Sequence, residues 1–145
     1  MNDLFDIKIC GINNEICMAA ALACRVEYVG LVFYEKSPRN IEIKTSMKLL
    51  QERNQHTKIV ALTVNAKDDF LNEIINNVKP DFLQLHGNEN PYRCKEIKEK
   101  FKISIIKGVG IEYKTWLIKS KKQFEDICDI LLFDAPSTKL PGGNG

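Results

Sequence analysis

The stretch KIVALTVNAKDDFLNEIINNVKPDFLQLHG, residues 58–87, decides the fold because it contains two different hydrophobic periodicities in a fixed order. Its two ends, Lys58–Asn65 and Asp81–His86, are short apolar runs rich in residues that favour strands. Between them, Phe70–Val78 places apolar residues at i, i+3, i+4 and i+7, which predicts a helix with one apolar face. The stretch therefore predicts a strand, a helix and a second strand.

The same alternation extends along the whole chain. The other predicted strands are Asp6–Cys10, Tyr28–Phe33, Ile103–Gly108 and Asp129–Asp134. A second clear helix begins at Asn90-Pro91, a cap and first-turn signal, and places Cys94, Ile97 and Phe101 on one face. Weaker helical patterns cover Asn14–Cys24, Lys44–Arg53 and Tyr113–Lys121. Six strands joined by five helices predict a parallel sheet covered by helices.

The spacing of the strands selects among parallel architectures. The predicted strand ends recur on average about every 25 residues, so eight units would need roughly 200 residues, near the lower limit for an eight-stranded (β/α) barrel. The chain has 145 residues and ends in the glycine-rich Gly142–Gly145. We therefore expect residues 1–145 to form a single (β/α) barrel domain of the α/β class that holds about six of eight units and lacks the last two.

Composition excludes several classes of protein. Hydrophobic residues make up 44% of the chain and charged residues 28%, which is typical of a domain with a packed core. The formal charge is only +2 and the signs are interspersed, so a nucleic-acid partner is not indicated. The sequence shows neither an apolar run long enough for a membrane span nor a basic-then-hydrophobic leader, so we expect a cytoplasmic protein without membrane contact.

The five cysteines are odd in number and form no CxxC pair, which fits neither a disulfide framework nor a zinc site. We expect reduced thiols that are mostly buried. Cys17 and Cys24 lie seven residues apart on the first helix, which predicts that both face the sheet. The same burial is predicted for Cys94 and Cys128.

Three strands end in residues that could carry chemistry, namely Cys10, His86 and Asp134. In parallel α/β folds ligands bind at the carboxyl ends of the strands, where a thiol and a carboxyl could serve as base and acid. A cysteine in an apolar run is also commonly a core residue, and an aspartate after a strand is often a cap or turn residue. Position alone therefore leaves both interpretations open.

Five motifs identify a resemblance that covers essentially the whole chain. They are KICGI at 8–12, GLVFY at 30–34 with KSPR at 36–39, QLHG at 84–87, LFDA at 132–135 and GGNG at 142–145. Their order and spacing resemble those of the phosphoribosylanthranilate isomerase family. The resemblance implies a phosphate-binding (β/α) barrel and an Amadori rearrangement of a small phosphorylated sugar–anthranilate substrate in tryptophan biosynthesis. It also implies that the reaction uses neither a cofactor nor a metal.

The resemblance implies a general base at Cys10 and a general acid at Asp134. At neutral pH an ordinary thiol is protonated and an ordinary carboxyl is ionised, so both pKa values would have to be shifted by their surroundings. Lys8 lies two residues before Cys10 on the same face of the strand, and we expect its charge to stabilise the thiolate. Arg39 matches the residue that holds the anthranilate carboxylate, and a guanidinium can donate two parallel hydrogen bonds to such a group.

The remaining implied substrate-binding residues are His86, Gly142 and Gly143. A structural histidine bonded to a neighbouring loop is the alternative for His86. Two alternative readings of the whole chain also stay open: a non-catalytic remnant of such an enzyme, and a small doubly wound α/β ligand-binding domain. An incomplete barrel would expose its first and sixth strands as edges, so self-association is expected.

Overall fold

The computed structural model describes residues 5–111 and 114–135. Six strands alternate with five α-helices, as the periodicity predicts. The strands are β1 (Lys8–Cys10), β2 (Tyr28–Phe33), β3 (Lys58–Thr63), β4 (Phe82–Leu85), β5 (Ser104–Gly110) and β6 (Ile130–Asp134). The helices are α1 (Glu15–Ala23), α2 (Ile43–Leu49), α3 (Asp68–Val78), α4 (Pro91–Phe101) and α5 (Lys114–Phe124), and a short 3₁₀ turn, Leu50–Glu52, follows α2.

The strands form one parallel sheet whose spatial order is the order of the chain, β1 to β6. A doubly wound sheet changes direction in its strand order, so this order rules out the doubly wound alternative. One cavity is lined by both edge strands, β1 and β6, which stand at opposite ends of that order. The sheet therefore curves around the cavity, as expected for six units of a (β/α) barrel.

Each strand sends alternate side chains to the two sides of the sheet. On β3, Ile59 and Ala61 belong to the core between the sheet and the helices, together with Leu71 and Ile74 of α3. Leu62 of the same strand points the other way and lines the cavity. Burial on both faces is the reason that these strands are nearly continuous apolar runs.

Side-chain caps fix the starts of helices α1 and α4. Asn14 caps α1 by accepting a hydrogen bond from the Cys17 N–H at 2.9 Å, and Asn90 caps α4 by accepting one from the Arg93 N–H at 2.9 Å. Pro91 occupies the first turn of α4, where its missing N–H has no consequence. Both caps agree with the sequence-based helix starts.

The burial of the thiols differs in part from expectation. Cys94 and Cys128 are buried, as predicted, but Cys17 and Cys24 are exposed. The buried residues of α1 are Met18 and Ala21, so the face of the helix that contacts the sheet is rotated away from Cys17. Cys24 is the C-cap residue of α1, beyond the last helical turn.

Acidic residues support the opposite end of the sheet, where the strands begin. Glu27, Asp81 and Asp129 directly precede β2, β4 and β6, and each accepts a hydrogen bond at 2.7 Å from a backbone N–H at the start of the preceding strand. The donors are the N–H groups of Ile7, Ile59 and Ile105. The Ile7 N–H is the main cause that lowers the pKa of Glu27.

Asp81→Ala tests the contribution of these carboxylates to stability. The variant leaves the Ile59 N–H without its acceptor inside the fold and removes the partner of Arg53, 2.6 Å away. We expect urea unfolding to show a loss of about 2 kcal/mol. Glu99→Ala is the matched control, because Glu99 only joins an exposed pair with Lys95 and its loss is expected to cost less than about 0.5 kcal/mol. Equal losses in the two variants would contradict this role for Asp81.

Candidate active site

The carboxyl ends of the strands surround a cavity of about 350 Å³. The polar residues of its lining are Lys8, Cys10, Tyr34, Ser37, Arg39, Gln84, His86 and Asp134. Five of the seven residues that the sequence assigns to the site therefore line one cavity: Lys8, Cys10, Arg39, His86 and Asp134. The other two, Gly142 and Gly143, lie outside the described residues.

Cys10 and Lys8 lie side by side over Gly30, the residue opposite Cys10 in the β1–β2 pairing. A methyl group added to Gly30 would lie 2.8 Å from Cys10 Sγ and 3.0 Å from Lys8 Nζ. Both distances are shorter than an ordinary van der Waals contact, so the missing side chain of Gly30 makes room for the thiol and the ammonium group. The ammonium group of Lys8 and the thiol of Cys10 thus lie on the same face of the sheet, next to one glycine.

Arg39 approaches from the loop after β2 and lies at the exposed rim of the cavity. Its Nη1 donates a hydrogen bond to the Cys10 carbonyl oxygen at 3.0 Å, which ties the guanidinium to the end of β1. The side chain passes across Gly11, whose φ of +87° lies in the left-handed region. A methyl group on Gly11 would lie 2.5 Å from Arg39 Cδ, so glycine is needed here for both backbone and space.

His86 follows β4 and is nearly enclosed, with 9% of its side chain exposed. Its Nε2 lies 3.6 Å from Asp134 Oδ2, and its Nδ1 lies 3.1 Å from Gln84 Nε2. The Gln84 amide nitrogen faces Nδ1, so Nδ1 acts as the acceptor of this pair and the ring proton is assigned to Nε2, on the side of Asp134. The ring lies against Gly108, where an added methyl group would come within 2.8 Å of Cε1 and closer still to Nδ1.

Burial is the main cause that lowers the pKa of His86 below its ordinary value of 6.5. The nearby cations Lys107 and Lys8 lower it further, while the carboxylates of Asp134 and Glu89 raise it. The net direction is downward, so the imidazole is neutral at pH 7. A neutral ring turns its Nε2–H towards Asp134 without bringing a charge into the cavity, and at 3.6 Å the two groups face each other at a distance longer than a hydrogen bond.

Asp134 ends β6, and 27% of its side chain is exposed. Its Oδ1 accepts a hydrogen bond from the Ala135 N–H at 2.8 Å, while Oδ2 faces His86. The backbone carbonyl of Asp134 accepts from the Ile111 N–H at 2.9 Å, which joins the ends of β5 and β6. The carboxyl group is therefore held at the cavity, on the edge strand opposite the one that carries Cys10.

Two residues of functional interest escaped the sequence analysis. Lys107 and Glu89 form a buried ion pair, with 4% of each side chain exposed and 3.1 Å between Nζ and Oε2. Lys107 interrupts the apolar run of β5, and a lysine inside a strand predicted to be buried on both faces is the signal that could have found it.

Within the described residues, no group of three or more His, Cys, Asp or Glu side chains is arranged to hold a metal ion.

Comparisons with known proteins agree on one family. The family model for N-(5'phosphoribosyl)anthranilate (PRA) isomerase matches residues 7–145. An N-(5'-phosphoribosyl)anthranilate isomerase of Rhizobium rhizogenes is 43% identical over 143 residues, 97% of this chain and 64% of the relative. The isomerase of Chelativorans is 38% identical, again over 97% of this chain and 65% of the relative. The chain thus spans about two thirds of the length of these curated relatives.

Solved structures show the same relationship. The phosphoribosyl anthranilate isomerase of Thermotoga maritima superposes with a TM-score of 0.85 at 26% identity, over 97% of this chain and 66% of the other. A phosphoribosyl anthranilate isomerase in complex with reduced 1-(o-carboxyphenylamino)-1-deoxyribulose 5-phosphate superposes with a TM-score of 0.81 at 27% identity, over 92% of this chain and 66% of the other. By family model, sequence identity and fold, this chain belongs to the N-(5'-phosphoribosyl)anthranilate isomerase family.

Proposed function

We propose that the cavity catalyses the Amadori rearrangement of N-(5'-phosphoribosyl)anthranilate to 1-(2-carboxyphenylamino)-1-deoxyribulose 5-phosphate, with Asp134 as general acid and Cys10 as general base. One observation carries the proposal: a thiol on β1 and a carboxyl on β6 line the same cavity. A related protein, 27% identical, has been crystallised with the reduced form of this product. The reaction needs an acid at the ring oxygen of the sugar and a base at C2'.

The proposed chemistry follows two proton transfers. Asp134 donates a proton to the ring oxygen of the ribose, the bond from that oxygen to C1' breaks, and the nitrogen lone pair forms a Schiff base. The Cys10 thiolate then removes the proton from C2'; the electron pair of that C–H bond forms the C1'–C2' double bond, and the π pair of the C1'–N double bond returns to nitrogen to give an enolamine. Tautomerisation of the enolamine to the ketone moves a proton to C1' and completes the isomerisation.

The neighbouring groups suit these roles. Lys8 Nζ lies beside the Cys10 thiol above Gly30, where a positive charge favours the thiolate. Arg39 lies at the rim, where a guanidinium can bind the anthranilate carboxylate in a planar, two-bond contact. The Oε1 atom of Gln84 is buried and has no partner among the described residues, so Gln84 serves the site through the contact of its Nε2 with His86.

A fluorescence assay of substrate consumption tests the acid–base assignment. We expect Cys10→Ala and Asp134→Asn each to reduce turnover by about 10²- to 10⁴-fold, the range associated with a single acid or base. Cys17→Ala is the matched control, since Cys17 is an exposed thiol on α1. A Cys10→Ala variant at full rate would contradict the mechanism. No turnover by the unaltered chain would favour the non-catalytic remnant.

Lys8→Met tests the proposed stabilisation of the thiolate. We expect a neutral alkylating reagent to react more slowly with Cys10 at one fixed pH, because the variant removes the neighbouring cation and keeps a side chain of similar length. The measurement is made in a Cys17→Ser/Cys24→Ser background, so that Cys10 is the main accessible thiol. Lys36→Met, on the exposed loop after β2, is the control. An unchanged alkylation rate in Lys8→Met would remove Lys8 from the mechanism.

We also propose that the chain self-associates through the open edges of its sheet. Ile9 on β1 and Phe133 on β6 are 41% and 43% exposed, although both belong to strands of the sheet. A related isomerase from Thermotoga maritima is described as dimeric. Sedimentation equilibrium should give a mass above 16.6 kDa that falls towards the monomer in Ile9→Lys. A monomeric unaltered chain would refute this proposal.

A further inference from the structure

The ammonium group of Lys107 is buried beneath the turn that carries His86. Lys107 lies on β5 and its side chain is 4% exposed, so its charge is almost completely removed from water. A buried ammonium group is costly unless every proton finds an acceptor. The acceptors of the three ammonium protons therefore indicate the structural role of Lys107.

All three ammonium protons have acceptors. Nζ donates to the carbonyl oxygen of Leu85 at 3.1 Å, to that of Gly87 at 2.8 Å, and to Glu89 Oε2 at 3.1 Å. The two carbonyl groups belong to the residues immediately before and after His86. Lys107 consequently holds the backbone on both sides of the histidine.

Glu89 completes the arrangement and connects it to a third strand. Its Oε1 accepts a hydrogen bond from the Asn65 N–H at 2.7 Å, and its Oε2 accepts one from the Gly87 N–H at 2.9 Å. Asn65 Oδ1 in turn accepts from the Asn88 N–H at 2.8 Å. The ends of β3, β4 and β5 are thus joined through one buried ion pair.

We propose that Lys107, held by Glu89, is a positioning residue that fixes the backbone around His86 so that the ring presents its Nε2–H to Asp134. The ring itself is set by two further contacts, the Gln84 amide at Nδ1 and the flat surface of Gly108. The positioning of His86 by Lys107 does not depend on the proposed function, but its consequence for catalysis does. There, the Nε2–H stabilises the carboxylate that Asp134 becomes once it has given its proton to the ribose ring oxygen.

The charges that face His86 come from four parts of the fold. Lys8 on β1 and Lys107 on β5 lower the pKa of His86, whereas Asp134 on β6 and Glu89 in the β4–α4 loop raise it. Removal of the Lys107 charge therefore raises this pKa. Loosening of the turn exposes the ring to water and raises the pKa as well, so both consequences of losing Lys107 have the same sign.

The test is the titration and the tautomer of His86, followed by the ¹⁵N chemical shifts of its imidazole. The chain has only two histidines, so His56→Gln assigns the signals. In Lys107→Met we expect the pKa of His86 to rise and the Nε2–H form to give way to a mixture of tautomers. Lys98→Met is the matched control, because Lys98 also pairs with a carboxylate and a carbonyl, Asp129 and the Ile127 oxygen, but does not contact the His86 turn.

Gly108→Ala and Gly110→Ala calibrate the signal on the same strand. A methyl group at Gly108 collides with the His86 ring, whereas one at Gly110 meets nothing within 4 Å. Gly108→Ala therefore shows the imidazole shifts of a displaced His86, and Gly110→Ala shows those of an undisturbed one. The Lys107→Met spectrum is expected to move towards the first and away from the second.

The double variant Lys107→Met/Glu89→Gln covers the case in which Lys107→Met does not fold. It leaves no unpaired buried charge, yet it lacks the ammonium group that holds the two carbonyls, so the mixture of tautomers is expected again. A folded variant that keeps the native tautomer of His86 overturns the inference, even if the chain isomerises its substrate. A changed tautomer supports it even without turnover, in which case the proposed function is what fails.

Discussion

Parallel pairing in chain order is the constraint on which the rest of the structure depends. Because all six strands point the same way, their carboxyl ends meet at one rim, and alternate side chains separate a cavity from a helix-covered core. Cys10 and Asp134 are 124 residues apart in sequence, and no local interaction relates them. Only the curvature of the whole sheet brings both to one cavity. The curved sheet therefore brings the proposed acid and base together, and a loop adds Arg39 at the rim of the cavity.

Much of this arrangement could be predicted from periodicity, and the errors have physical causes. The β2 strand has the predicted bounds, and both strong helices were found, because their apolar residues repeat at one period without interruption. The burial of Cys17 was wrong since the apolar residues of α1 cover more than one face, and spacing alone does not say which face contacts the sheet. Strand ends placed Cys10, His86 and Asp134 near one another, whereas the Lys107–Glu89 pair depends on three strand ends meeting, which no local pattern encodes.

Space left by glycines is as important at the site as the groups that fill it. Gly30 admits Cys10 and Lys8, Gly11 admits Arg39, and Gly108 admits the His86 ring. In each case the functional side chain belongs to one strand or loop and the glycine to a neighbouring one. A sequence motif shows the functional residue, but its glycine partner is identified only after the strand register is known. The roles of Gly30 and Gly108 therefore became visible only in the structure.

The carboxylates at the start of the sheet have a consequence for how the chain reaches this fold. Glu27, Asp81 and Asp129 bind backbone groups 20, 22 and 24 residues earlier in the chain, each joining an odd-numbered strand to the even-numbered strand that follows. Loops of this length close at low entropic cost, and local contacts favour rapid folding. A strand, its helix and the next strand can therefore form their carboxylate–backbone hydrogen bond without any contact from the following unit. The hydrogen bonds thus divide the molecule into three successive strand–helix–strand units, and the cavity has its Asp134 only when the third unit is paired with the sheet.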